Sequence, residues 1–300
     1  LAVGVHTTQF AIRDVGLFEP VLSLVAETAR EGGEPPMLLI AGVVGDLRQA
    51  VGEAEVASSL GYHAVLLSPF GAEDLTYREA LERARAVGEV LPVIGFYMQE
   101  AVGGRYLPTS YWRELAKIEA VVAMKIAPFD RYRTLDLVRG VAESGRADQI
   151  ALYTGNDDNI IGDLLTPFRI ESGGKRIEQH IVGGLLGQWA TGTHAASKVL
   201  AMAHAAQAND ADAHIELAGV ASQLTDLSAA SVDVSNRFRG CSAVVHEMLR
   251  RQGLLAGTWC IDPNEGLSPG QAAEIARLAA AYPTLTDDDF VAQHLDEWLG

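Results

Sequence analysis

Ala120-Val121-Val122-Ala123-Met124-Lys125-Ile126-Ala127-Pro128 is an apolar run broken by one charge. Its apolar residues are consecutive rather than alternating. A strand here would be buried on both faces, as in a parallel sheet covered by helices. On either side of it, runs of the same kind recur: Leu1–His6, Met37–Val43, His63–Leu67, Val93–Tyr97, Val121–Ile126, Ile150–Tyr153 and Ile181–Leu186. From Met37 onward their starts fall at positions 37, 63, 93, 121, 150 and 181. Helical spacing fills the gaps. Leu81, Ala84 and Val87 share one face, and Trp112, Leu115 and Ile118 another, while Leu135, Leu137, Val138 and Val141 form a third set. A strand–helix repeat of this persistence indicates a βα architecture.

The even spacing favours a TIM (β/α)8 barrel over an open doubly wound sheet. Gly42-Val43-Val44-Gly45 follows a strand but lacks the G-x-G-x-x-G spacing of a dinucleotide site. Seven units can be counted. The chain opens without Met, on residues that read as a strand interior, so a first βα unit is expected before Leu1. After about Gln207 the strand runs stop. Ile215–Val234, Ser242–Leu255, Pro269–Tyr282 and Asp288–Leu299 read as helices, the last with Thr286 as N-cap. The expected organisation is a barrel over residues 1–207 and a C-terminal helical extension over 208–300.

Composition narrows the function. The 300 residues are 48% hydrophobic and carry 39 acidic against 23 basic side chains, a formal charge of −16. Such a balance disfavours nucleic acid and anionic membrane surfaces as partners. No apolar run approaches the ~18 residues of a membrane span. Two cysteines, Cys241 and Cys260, make neither a disulfide framework nor a metal-ligand spacing, which fits a reducing cytoplasm. His6, His63, His180 and His194 are scattered, so no metal site is expected. No G-x-S-x-G elbow supports serine hydrolase chemistry.

Of four lysines, Lys117, Lys175 and Lys198 read as solvated surface. Lys125 ends a buried strand, where the active-site mouth of a barrel lies. A Lys there snorkels, pairs with a carboxylate such as Asp157, or serves as a nucleophile, because burial favours the neutral amine. Tyr97 ends the preceding strand run and could stand beside that amine as a proton relay. His6-Thr7-Thr8-Gln9, at the end of the first run, offers hydroxyls and amides suited to a carboxylate. His6 could add an acid–base group at the mouth, although a His there is more often a polar lining residue.

Taken in order, Thr7-Thr8, Phe96-Tyr97 and Val122-Ala123-Met124-Lys125 resemble the dihydrodipicolinate synthase/N-acetylneuraminate lyase family of Schiff-base barrels. That family has a Thr-Thr motif after its second strand, a Tyr ending the fifth and an imine-forming Lys on the sixth. Tyr62-His63-Ala64-Val65-Leu66-Leu67-Ser68-Pro69 and Thr154-Gly155-Asn156-Asp157-Asp158 are similar to further family segments, and the likeness covers Leu1 to roughly Leu255. The resemblance implies Lys125 as nucleophile toward pyruvate or another 2-oxo acid, Tyr97 as proton relay and Thr7 as its hydrogen-bond partner. Thr8 would hold the substrate carboxylate, while Gly155, Asn156 and Asp157 would border a second substrate. No cofactor beyond the Lys125 imine is implied, and a homo-oligomer, dimer or tetramer, is.

Departures steer the expected activity away from the lysine-pathway synthase. The family's Gly-Thr-Thr-Gly-Glu is here His6-Thr7-Thr8-Gln9-Phe10. Ser68-Pro69-Phe70-Gly71 offers no phenol for a proton relay across a dimer. The family's carboxylate-binding Arg lies five residues past its Tyr, whereas Arg105 lies eight past Tyr97. A lyase or aldolase on another 2-oxo acid fits better, or a hydratase-aldolase that couples C–C bond chemistry to dehydration or hydration, with Arg105 and Trp189 as further substrate contacts and Trp112 as core or pocket wall. The alternatives are a catalytically silent barrel that binds an oxo acid or sugar acid, and a metal-dependent barrel enzyme.

Overall fold

Residues 1–32 and 37–300 are described in a computed structural model of the chain. Two compact units emerge, Leu1–Tyr153 with Pro167–Ile181 and Thr154–Thr166 with Val182–Gly300.

In the first unit strands and helices alternate: β1 (Ala2–Val3), α1 (Phe18–Glu31), β2 (Ile40–Val43), α2 (Leu47–Ser59), β3 (Ala64–Leu67), α3 (Tyr77–Gly88), β4 (Val93–Met98), α4 (Thr109–Ala116), β5 (Val121–Ala127), α5 (Arg131–Glu143) and β6 (Ala151–Thr154). After α6 (Ile160–Leu165) come a hairpin of β7 (Phe168–Ser172) and β8 (Lys175–Gln179), then β9 (Ile181–Gly184). The sheet order is β1-β2-β3-β4-β5-β6-β9, and each of the first four strands pairs in parallel with the next. All seven sheet strands start within the expected runs. The hairpin was not expected. Gly173 and Gly174, both at positive φ, form its two-residue turn, as a twisted antiparallel pair requires.

Helices α2, α3 and α5 begin where short polar side chains satisfy their first N–H groups. Asp46 accepts from the Gln49 amide at α2, and Asp130 from the Arg133 amide at α5. Thr76 and Glu79 form a capping box at α3.

The sheet is buried on both faces, as the unbroken runs require. Register puts Ala2, Ile40 and Ala64 in one row, and Gly42, Leu66, Ile94 and Ala123 in the next. These rows, with Phe96, Met98, Ala127 and the partly buried Ala151 and Tyr153, form one apolar cluster on the inner side of the curled sheet. On the other side Leu67, Val93, Tyr97, Met124 and Ile126 are buried toward the helices.

One irregularity sets which side chains of β5 face inward. Val93 pairs with Val121, but Ile94 pairs with Ala123. Val122 is the extra residue of a bulge, and it is 39% exposed in an otherwise buried strand.

The segment after β1 is held by a buried ion pair. Arg13 donates through Nε and Nη2 to Glu53 at 2.8 and 2.9 Å, and Nη2 also reaches the Gly42 carbonyl at 2.9 Å. Glu53 accepts besides from the Val44 amide and the Gln49 side chain, so its carboxylate is well satisfied. Gly42 is required here, because a Cβ would stand 2.5 Å from the Gly4 carbonyl oxygen.

The second unit carries α7 (Thr193–Gln207), α8 (Ala211–Ser231), α9 (Cys241–Arg251), α10 (Gln271–Ala281) and α11 (Asp288–Leu299). Residues 208–300 contain no strand among those described. Val244, Met248 and Ile275 pack as a local core. Thr286 does not cap α11: its hydroxyl donates to the Pro283 carbonyl, and Asp287 takes the N-cap position. The Asp287 carboxylate instead accepts from the His194 and Ala195 amides at 2.6 and 2.9 Å, closing the start of α7. Cys241 is buried and donates to the Val232 carbonyl. No helix among the described residues is long and apolar enough to cross a membrane.

Candidate active site

Lys125 lies in the second half of β5, in register with Phe96 of β4. Neighbours in register on parallel strands project to the same face. Lys125 therefore shares the inner face with Phe96, Met98, Ala123 and Ala127. It is half-buried, and its Nζ stands 4.4 Å from the centroid of the Phe96 ring. That is a cation–π contact, which favours a positive nitrogen at this point.

His6 belongs to the same neighbourhood. It begins a short 3-10 turn, His6–Thr8, where a strand end was expected. Burial and then the Lys125 charge push its imidazole down from 6.5 to about 4. His6 is thus neutral at physiological pH and within electrostatic reach of the Lys125 amine. Its ring lies 5.8 Å from that of Phe10, which stacks on Phe70 at 4.3 Å. Thr7 and Thr8 follow in the same turn, and neither hydroxyl makes a hydrogen bond among the described residues. Gln9 closes the turn at positive φ, and Phe129, just past β5, is also left-handed. Both are strained positions beside the inner face.

Tyr97 is not part of this group. It is in register with Ile126, so it projects to the helix side of the sheet. There it is fully buried, 4.8 Å from the Trp112 ring, and its hydroxyl accepts from the Leu107 amide. The expected Tyr97–Lys125 and Tyr97–Thr7 pairs are both absent: the Tyr97 hydroxyl meets the Leu107 amide instead, and the bulge at Val122 sets Lys125 out of register with Tyr97. Without it, Tyr97 and Lys125 would be in register. The inner-face phenol that sequence reasoning overlooked is Tyr153, on β6, packed against the same apolar cluster. Its place in the run Ile150–Tyr153, two residues after Ala151, was the available signal.

Arg105 is also elsewhere. Its guanidinium donates to the carbonyls of Glu73 and Leu75 and covers the Tyr77 ring at 5.4 Å. It ties together two loops on the helix side. Trp112 is wholly buried, with its Nε1 donating to the Leu107 carbonyl, and serves as core.

Gly155, Asn156, Asp157 and Trp189 belong to the second unit. The first three are buried in a loop organised by Asp163, whose carboxylate accepts from Thr154 at 2.6 Å and from Asn156 at 2.9 Å. Trp189 lies in a 3-10 turn with its ring against Gly184. Among the described residues no group of three or more His, Cys, Asp or Glu side chains is placed to hold a metal ion.

No family profile matches the sequence, and no curated protein matches it significantly. Solved structures do. The chloride-inhibited dihydrodipicolinate synthase of Acinetobacter baumannii, complexed with pyruvate, is similar at a TM-score of 0.74 and 19% identity, over 94% of this chain and 86% of that one. The dihydrodipicolinate synthase of Oceanobacillus iheyensis is similar at 0.69 and 18%, over 94% and 84%. YagE, a prophage protein of that family from E. coli K12 in complex with pyruvate, is similar at 0.69 and 15%, over 95% and 87%. The chain therefore has the fold of these synthases.

Proposed function

We propose that the chain is a divergent member of the dihydrodipicolinate synthase family, a Schiff-base lyase or aldolase acting on a 2-oxo acid other than in the lysine pathway. One observation carries this reading. A lysine stands on the inner face of the parallel sheet, near the strand's C-terminal end, over an aromatic ring and beside a neutral imidazole. Two solved neighbours hold pyruvate, a ligand of the class such an amine attacks.

On this reading Lys125, as the free amine, adds to the ketone carbon of the oxo acid and gives a carbinolamine. Protonation of the carbinolamine hydroxyl, by the proton given up when the amine added, lets it leave as water and leaves a protonated imine. The Phe96 ring face stabilises that cation in place of the ammonium it replaces. The imine then accepts the electron pair released when the adjacent C–C bond breaks, or when a proton leaves the neighbouring carbon. The neutral His6 takes up and returns protons in the role first expected of Tyr97. Thr7 and Thr8 offer hydroxyls to the substrate carboxylate. Phe10, Phe129 and Met98 make the surroundings apolar, which suits a substrate with an apolar side chain. The sheet is then the wall of a (β/α)8 barrel, and the enzyme a cytoplasmic homo-oligomer.

The turned-away Tyr97 favours the second reading, a barrel that binds an oxo acid without turnover. Borohydride reduction in the presence of a panel of 2-oxo acids separates the two. The enzymatic reading expects a stable mass increment on the peptide carrying Lys125, together with turnover. No increment with any acid, in folded protein, would overturn it. Ligand-dependent thermal stabilisation that survives Lys125→Ala, with no turnover in the parent, would establish the binding protein.

A further inference from the structure

On the helix side of the sheet, under the loop between β3 and α3, lies a cavity of about 440 Å³ counted to its open mouth. Two arginines and a tyrosine line it: Arg83 of α3, Arg105 and Tyr111 of α4. Most of the remaining lining is apolar, including Leu67, Pro69 and Trp112.

Arg83 is the unusual member. It is only 4% exposed. Its Nη2 donates to the Ser68 carbonyl at 2.9 Å, while its Nε has no hydrogen-bond partner among the described residues. No carboxylate there comes within ion-pair distance of it. Glu53, a buried acid whose charge Arg83 feels, is already clasped by Arg13. A buried guanidinium with one carbonyl for five donors is costly unless a counter-charge joins it. Burial accordingly drags its affinity for the proton down to about 10. Arg105 brings a second guanidinium, with one nitrogen committed to the Glu73 and Leu75 carbonyls. Tyr111 supplies a hydroxyl that feels both cations and makes no hydrogen bond among the described residues.

We propose that this cavity binds a small oxyanion, a phosphate or carboxylate group, held by Arg83, Arg105 and the Tyr111 hydroxyl. Water could satisfy the spare donors but would leave the buried Arg83 guanidinium without an ion-pair partner. A planar or tetrahedral oxyanion satisfies both requirements, because guanidinium forks match its oxygen spacing. The enclosed part is small, with room for a terminal group rather than a whole nucleotide. The inference stands independently of the Lys125 chemistry, which lies on the opposite face of the sheet.

The test is thermal unfolding of the whole chain, titrated with inorganic phosphate and separately with malonate, against sodium chloride at matched ionic strength. A saturable rise is expected, about 3 °C at tenfold the half-saturating concentration. Response to phosphate alone identifies a phosphate group as the ligand, and response to malonate a carboxylate. Arg83→Met should abolish the rise. Arg105→Gln and Tyr111→Phe should raise the half-saturating concentration at least tenfold and a few-fold, and they carry the test if the Arg83 variant does not fold. Lys125→Ala should leave the rise intact. No saturable rise with either anion in folded protein, or a rise unchanged in both Arg105→Gln and Tyr111→Phe, would overturn the proposal.

Discussion

The two faces of the β4–β5 pair differ in what they hold and what they cost. On the helix side Tyr97, Trp112, Met124 and Ile126 are fully buried, and the Tyr97 hydroxyl and the Trp112 indole N–H are spent on backbone partners. The inner side, with Phe96 and Lys125, is partly open and keeps a charge over a ring. Adjacent residues of one strand, Phe96 and Tyr97, thus face the lysine and the packed helix layer respectively. Spacing in sequence from a strand-end lysine therefore says little until strand register is known.

Four measurements bear on this contrast. The largest effect concerns the inner face. Lys125→Ala should remove the borohydride adduct and lower turnover by at least about a thousandfold, with the thermal midpoint little changed. Full trapping on another lysine would defeat the assignment. Next, Trp112→Ala should cost about 3–5 kcal/mol in denaturant unfolding, while trapping at Lys125 persists in the folded fraction. A smaller effect comes from His6. Between pH 4 and 6.5 the unfolded chain carries a proton on this imidazole that the folded chain refuses, so stability rises with pH across that window and levels above it. His6→Gln should flatten that part of the profile, by on the order of 2 kcal/mol between pH 4.5 and 7, in parallel chemical denaturations. The smallest is Tyr97→Phe, which loses one acceptor on a long hydrogen bond. It should change turnover less than about threefold and stability by about 1 kcal/mol. A hundredfold loss would return Tyr97 to the catalytic group.

The parallel sheet was legible because strands buried on both faces leave unbroken apolar runs, and the helices because their apolar spacing and caps are local. Lys125 was legible as a charge in such a run. Its partners were not. The choice between Tyr97 and Phe96 depends on one extra residue at Val122, and a bulge leaves no mark in a continuous apolar stretch. The Arg13–Glu53 clasp joins residues 40 apart, with nothing in the intervening sequence to pair them. The β7–β8 hairpin did announce itself, through Gly173-Gly174 between residues of strand type. The strand–helix period masked it by suggesting only a helix there. Asp287 stands in the acidic run Asp287-Asp288-Asp289 at the start of α11, yet its carboxylate serves the beginning of α7, and sequence cannot distinguish a residue's own helix from a distant one.

Val122 has a mechanical consequence as well. Below it β5 is locked to β4 through Val93, and above it through Ile94 to Met98, in two offsets that differ by one. Sliding the strand to improve one stretch would undo the other, so the kink works as a detent. The depth at which the amine sits along the strand axis is thereby fixed by the backbone, whatever ligand arrives.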